Sequence, residues 1–311
     1  MEMYFAVDEL APDFASNLLD AFHSASLADG NLSMYALIDA SFEYVKSSSP
    51  RTDWKNDAVS LYRNTIFDAL KDAAPHLVKI HDDPNKAKLQ LRRLFKICNG
   101  FPMVSFIASN LNLNALAKTF EYFLEINIVD EQKFLLRFAD TRLLPLLDIV
   151  IRENTVFGWR QGVSHWWLPN RNGELDILPV YLCDNNSAGN ENNQFSLPQI
   201  SFNKLVDAGE SDAIIDVISD QNIDILKINY PSNNYAIIQR LREKMLEFNI
   251  ENFPDMVIFC TTALATSEEF YLQADFNLIL KSRSWKVGKL GDAFSSLNDS
   301  SWAEIETEII N

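Results

Sequence analysis

The chain has 311 residues, and its 27 Lys and Arg face 43 Asp and Glu, for a formal charge of −16. That balance argues against a broad sequence-independent nucleic-acid surface and against an anionic-membrane binder, since both depend on clustered cations. Glycine is scarce, at 9 residues of 311 against a usual share of about 7%, so few places let the backbone approach a phosphate closely, and nucleotide-binding readings are weakened.

From Met1 to Gly30 the chain carries six acids (Glu2, Asp8, Glu9, Asp13, Asp20, Asp29) and no Lys or Arg. Pro12 suits a first helical turn, Phe14, Leu18, Leu19 and Phe22 recur at helical spacing, and Gly30 stands where a helix stops. One amphipathic helix is expected, either an ordinary surface helix or an acidic docking element. Ser33 to Ala40 reads as a buried strand, 47–56 as a loop around Pro50, and 57–74 as a helix or irregular turn ended by Pro75. Leu77 to Ile80 is a second strand. Asp83 or Asn85 is placed to cap a helix from Lys86 to Cys98, closed by Asn99-Gly100.

Met103 to Ala108 is a third strand, and Leu113 to Ile126 a helix with apolar residues at three- and four-residue steps. Glu125–Val129 and Lys133–Phe138 form a hairpin. Asp140 or Thr141 can cap a helix from Arg142 to Arg152. Phe157–Leu168 and Glu174–Leu182 read as β, joined by the turn signal Pro169 to Gly173. Strands alternating with helices predict an α/β lobe, a mixed sheet flanked by helices.

Asp184 to Asn193 is a polar, low-complexity tract and the best linker. Beyond it helical spacing dominates, with Pro198, Pro231 and Pro254 near helix starts, and about five helices are expected between 196 and 282. The predicted organisation is an α/β lobe with its N-terminal helix over 1–183, a linker over 184–195 and an all-α lobe over 196–311.

Cys98, Cys183 and Cys260 are odd in number and have no C-x-x-C spacing, which points to core thiols in a reducing compartment. No basic N-terminal region and no run of about 18 apolar residues occurs, so neither a signal peptide nor a membrane span is expected, and the predicted location is the cytoplasm.

None of the common nucleophile-elbow, phosphate-loop, dinucleotide or zinc-protease motifs is present, so no catalytic residue, cofactor, metal or small-molecule substrate is expected. His76 and His81 fall on opposite faces of a predicted strand, which disfavours a shared metal. Ser164 and His165 are strand neighbours and should likewise point apart. Asp216, Asp220 and Asp224 recur at four-residue steps as a solvated face, and Glu268-Glu269 suits a first helical turn. Lys86, Lys88, Arg92, Arg93 and Lys96 form a local basic face. Lys281, Arg283, Lys286 and Lys289 form another. Each is either a solvated helix face or a contact for an acidic partner.

The aromatic cluster Phe157, Trp159, Trp166 and Trp167, with Arg160 among them, is the candidate partner-binding site, since Trp and Arg dominate binding hot spots. Alternation places Trp159 and Trp167 on one face and Trp166 on the other; core packing is the competing reading. On the contact reading, Trp166→Ala or Trp167→Ala weakens partner binding more than stability. Arg137, Asp140 and Arg142 form a candidate structural brace, with Asp140 capping a helix while it pairs with a guanidinium.

Several blocks resemble the type VI secretion effector-chaperone (adaptor) family, also catalogued as the domain of unknown function 4123 family. Tyr35-Ala36-Leu37-Ile38-Asp39-Ala40 matches that family's Y-A-L-I-D-A. Leu61-Tyr62 and Ala74-Pro75-His76-Leu77-Val78 match its L-Y and A-P-x-L-V elements. Leu136 to Leu144 is similar to F-R-F-Y-D-P-R-V-L, with Ala139 and Thr141 as departures, and Phe157-Gly158 echoes F-G-P-V. The likeness is good over roughly 33–180 and loose over the helical part. It implies a non-enzymatic cytoplasmic adaptor that binds a secreted effector protein and loads it onto the VgrG spike, by an apolar groove with acidic rim residues. The residues leave two other readings open: an immunity or inhibitor protein acting on a basic toxin, and a hydrolase using remote carboxylates or Ser164 and His165.

Overall fold

The computed structural model describes residues 4–46, 53–128, 132–154, 159–179 and 195–306. The chain divides into two compact units, Val7–Ala208 and Met1–Ala6 with Gly209–Asn311. The division thus falls after Ala208, beyond the polar tract; that tract, 184–193, lies outside the described residues. Phe195 and Leu197 are buried in the first unit's core and Phe202 and Leu205 pack against it, which carries that unit past the tract.

The first unit is built on a six-stranded sheet: β1 (Ser33–Asp39), β2 (Ala58–Ser60), β3 (Pro75–Lys79), β4 (Val104–Ser109), β7 (Val163–Pro169) and β8 (Leu175–Ile177), in the order β2-β3-β1-β4-β7-β8. A second, two-stranded sheet pairs β5 (Glu125–Asn127) with β6 (Lys133–Leu135), as the hairpin spacing predicts. Every pairing in the main sheet is antiparallel. The expected mixed sheet is therefore corrected. β3 and β4 do run parallel, joined by α3 (Pro84–Cys98), but β1 lies between them, with Leu37 opposite both Leu77 and Ser105. This is a split crossover. Its sequence alternates like a parallel β-α-β unit, while each strand's neighbour runs the other way.

Both faces of the sheet are covered, so β1 and β4 are buried nearly throughout instead of alternating. On one face, Phe14 of α1 (Phe14–Ala28) and Phe95 of α3 meet Phe106 edge-on or tilted. On the other, α4 (Leu113–Glu121) and α5 (Leu144–Asn154) share a core with Leu37, Leu77, Ile107 and Trp166. Between β1 and β2 runs the short helix α2 (Ser41–Lys46). Asp83 caps α3 as its sequence predicts, its carboxylate accepting the Asn85 and Lys86 amides at 3.0 and 2.9 Å. Gly100 follows in the left-handed region (φ 73°).

The helix expected to reach Ile126 ends at Glu121, because Ile126 pairs across the hairpin with Phe134. β2 falls in the stretch read as helix or turn. Gly173, in the turn before β8, has φ 75°, and a Cβ there would meet the Glu9 carbonyl at 2.0 Å; only glycine lets this turn take the hydrogen bonds of Asp8 and Ala11.

The second unit is helical. α6 (Gln199–Leu226) starts in the first unit and is broken at Asn222 (φ −158°, ψ 85°). It is followed by α7 (Pro231–Glu247), α8 (Phe253–Ala265), α9 (Ala274–Ser282), α10 (Leu290–Ser295) and α11 (Asp299–Glu306). The break at Asn222 removes Asp224 from the face shared by Asp216 and Asp220. Glu268 and Glu269 lie in a turn ahead of a 3-10 segment, Phe270–Leu272, and Glu268 holds Arg240 by two hydrogen bonds of 2.6 and 2.7 Å. The core centres on Ile238, Leu241, Phe259, Phe270, Phe276 and Phe294.

Asp255, in the first turn of α8, is buried and accepts from the Gly288 and Leu290 amides at 2.7 and 2.9 Å and from the Trp285 indole at 3.2 Å. One carboxylate therefore fixes the α9–α10 connection. Asp255→Ala strands these donors and is expected to cost about 2–4 kcal/mol, read as a lower urea midpoint for the helical signal. Asp255→Asn, which keeps one acceptor, is expected to lose less.

Candidate functional site

The three described tryptophans of the aromatic cluster are buried, and Phe157 lies outside the described residues. Trp159 precedes β7 in a turn where Arg160 and Gly162 take left-handed backbone (φ 68° and 75°). Those two residues break the alternation that the sequence suggests. As a result Trp159 packs with Trp166, ring centroids 5.7 Å apart, and both rings contact Phe120. Trp166 also donates its indole N–H to Ser105 at 2.9 Å. Trp167 faces the other side, edge-on to Phe22. The partner-contact reading of these tryptophans is corrected to core packing.

Arg160 is buried as well. Its guanidinium donates to the Pro179 carbonyl at 2.8 Å and approaches Asp148 at 3.4 Å. Asp148, fully buried on α5, also accepts from Trp159 at 2.8 Å and from Arg152 at 3.0 Å. This buried carboxylate had no signal in the sequence beyond its place on an apolar helix.

Arg137, Asp140 and Arg142 all make ion pairs, Arg137 with an acid the sequence did not indicate. Arg137 donates to Asp39 at the end of β1 (2.9 Å) and to the Ser41 hydroxyl (3.0 Å), and Ser41 in turn donates to Asp39 at 2.6 Å. Asp140 pairs locally, accepting from Arg142 side-chain nitrogens at 3.1 and 2.8 Å and from the Arg142 amide at 3.1 Å. Phe42 ties the two pairs together, lying 5.0 Å from the Arg137 guanidinium and 5.9 Å from that of Arg142. Burial, with a smaller push from Asp39, raises the nearby Tyr62 phenol to about 12, so it stays neutral. These groups are all engaged with one another, which suits a clamp between β1 and the start of α5 better than proton transfer.

Ser164 and His165 do not point apart. Their Oγ and Nδ1 are 2.9 Å apart, because β7 bulges at Ser164: Ala108 pairs with His165 and Ser109 with Val163. The ring lies flat against Trp167, 5.3 Å away at 9°, and burial, helped by Arg160, lowers its pKa. Among the described residues no carboxylate is bonded to the other ring nitrogen, so the orienting third group of a nucleophile–base arrangement is missing. Nor, among the described residues, do three or more His, Cys, Asp or Glu converge where they could hold a metal.

His76 on β3 is buried, donates from Nδ1 to the Ala74 carbonyl at 2.8 Å and meets the Trp54 ring edge-on. Burial is the main cause that pushes its pKa down to about 4. Protonation therefore favours the unfolded chain, where the value is near 6.5. Stability linked to His76 is complete above pH ~6.5 and is lost as the pH falls toward ~4, by about 3 kcal/mol at the limit. Urea midpoints of wild type and His76→Gln between pH 7.5 and 4.5 check this: the wild-type advantage should shrink on acidification, and a constant difference contradicts it.

The residues that clamp β1 to α5 all fall in one stretch of recognisable sequence. Residues 34–154 match the family model described as Domain of unknown function (DUF4123). That span is similar to the DUF4123 family. The matched span runs from β1 to the end of α5 and contains Asp39, Arg137, Asp140, Arg142 and Asp148. It stops short of β7 and β8, although β7 pairs with β4, so the six-stranded sheet is completed by strands outside the match. No curated protein and no solved structure matches the chain. No helix among the described residues is long and apolar enough to cross a membrane.

Proposed function

We propose that this chain is a non-catalytic adaptor of type VI secretion, which binds an effector protein in the cytoplasm and brings it to the VgrG spike. The observation that carries the reading is the DUF4123 match over 34–154. Two features of the site support it. The signature residues Asp39, Arg137, Asp140 and Arg142 are spent on holding the fold together, not on a cavity. Among the described residues, the Ser164–His165 contact has no carboxylate to orient the imidazole. With the tryptophans in the core, partner contacts fall to surface residues, where charge sets encounter rate and selectivity more than raw affinity. The test is co-expression of the tagged chain with the products of the genes beside its own. A complex that survives size-exclusion chromatography with an effector or spike protein is expected; failure to form one with any of these products overturns the reading.

A further inference from the structure

We infer that the outer face of α3 and the cleft beside it form a docking site for an acidic, amphipathic segment of a protein partner. Lys86, Lys88, Arg92, Arg93 and Lys96 are all exposed, and no acid interrupts them. At about 100° per residue they fall within an arc of roughly 160°, with Leu89 in its middle, and Leu89 is 53% exposed. None of the five has an ion pair among the described residues, whereas Lys79, Lys133, Arg240 and Arg242 elsewhere all do. Lys88, Arg92 and Lys96 stand at successive four-residue steps, where like charges repel. A cationic strip on a chain of net charge −16 is relieved by an anionic ligand.

The strip borders a cleft of about 180 Å³ whose lining includes Trp54, Asp57, His81, Lys86, Leu89 and Arg93. The Trp54 indole nitrogen in its wall is buried with no acceptor among the described residues. Apolar walls, flanking cations and an unused donor together fit a helix or strand that presents apolar side chains and carboxylates side by side. A long phosphate polymer or an anionic bilayer suits the face less well, since the rest of this acidic chain repels both. The partner's identity as effector or spike rests on the adaptor reading; the site does not.

The direct test uses a labelled peptide of about 16 residues, an amphipathic Leu/Glu helix, its Gln-for-Glu counterpart and a short DNA duplex, followed by fluorescence anisotropy. The acidic peptide should bind wild type, weaken with salt, and bind about tenfold more weakly to Lys88→Glu/Arg92→Glu/Lys96→Glu, three surface changes, and to Leu89→Ser. Circular dichroism checks that both variants stay folded. Equal binding by wild type and the triple variant, no peptide binding, or preference for DNA overturns the inference. The same triple variant is then carried into the co-expression experiment. A wild-type complex that survives the charge reversal sinks the α3 site and leaves the adaptor reading standing. Peptide binding that needs α3, with no complex from the neighbouring genes, sinks the adaptor reading and leaves the site.

Discussion

Trp166→Ala is expected to destabilise the sheet-containing unit by about 3–5 kcal/mol. The side chain is fully buried, packed against Phe120 and Trp159. Truncation opens a cavity between the sheet and α4 and takes the indole donor away from Ser105, whose side chain is itself buried. Partial collapse of the surrounding aromatics sets where in that range the loss falls. Urea denaturation followed by tryptophan fluorescence measures it. A loss below about 1 kcal/mol together with lost partner binding would instead restore the contact-surface reading of the aromatic cluster.

Asp148→Ala is expected to cost a similar amount, about 3–5 kcal/mol, by a different route. The carboxylate is fully buried and serves Trp159, Arg152 and Arg160 at once. Its removal takes a carboxylate away from the buried Arg160 guanidinium and sets an apolar methyl beside it. Arg152 is partly exposed (23%) and can turn to water, so Arg152→Ala should cost much less, about 1 kcal/mol. The double variant Asp148→Leu/Arg160→Met should recover part of the loss, because removing both charges also removes their desolvation cost. Denaturation midpoints of the four proteins decide it: a double variant no more stable than Asp148→Ala contradicts the ion-pair account.

What could be read from the sequence was local. β1 and β4 announced themselves as mainly apolar runs because both of their faces are covered, and Asp83 marked the start of α3 because capping depends on residues two and three positions away. The antiparallel sheet was hidden because the order of strands depends on β1 inserting between β3 and β4, and nothing within the alternating pattern encodes that insertion. Arg137 finds Asp39 across 98 positions, so the local reading of Arg137, Asp140 and Arg142 did not include this acid. The aromatic cluster was misplaced by three backbone details: left-handed Arg160 and Gly162, and the bulge at Ser164. Each of them reverses which way a following side chain points, and only Gly162 had a residue type that hinted at it.

The adaptor account makes one claim that outweighs the rest, that a particular secreted protein depends on this chain for its delivery. The measurement is the amount of the neighbour-encoded effector secreted by cells that lack the gene, compared with secretion of the spike protein in the same cells. The account predicts that the effector disappears from the medium, that the spike protein is still secreted, and that re-expression of the chain restores the effector. Unchanged effector secretion in the deletion strain contradicts it.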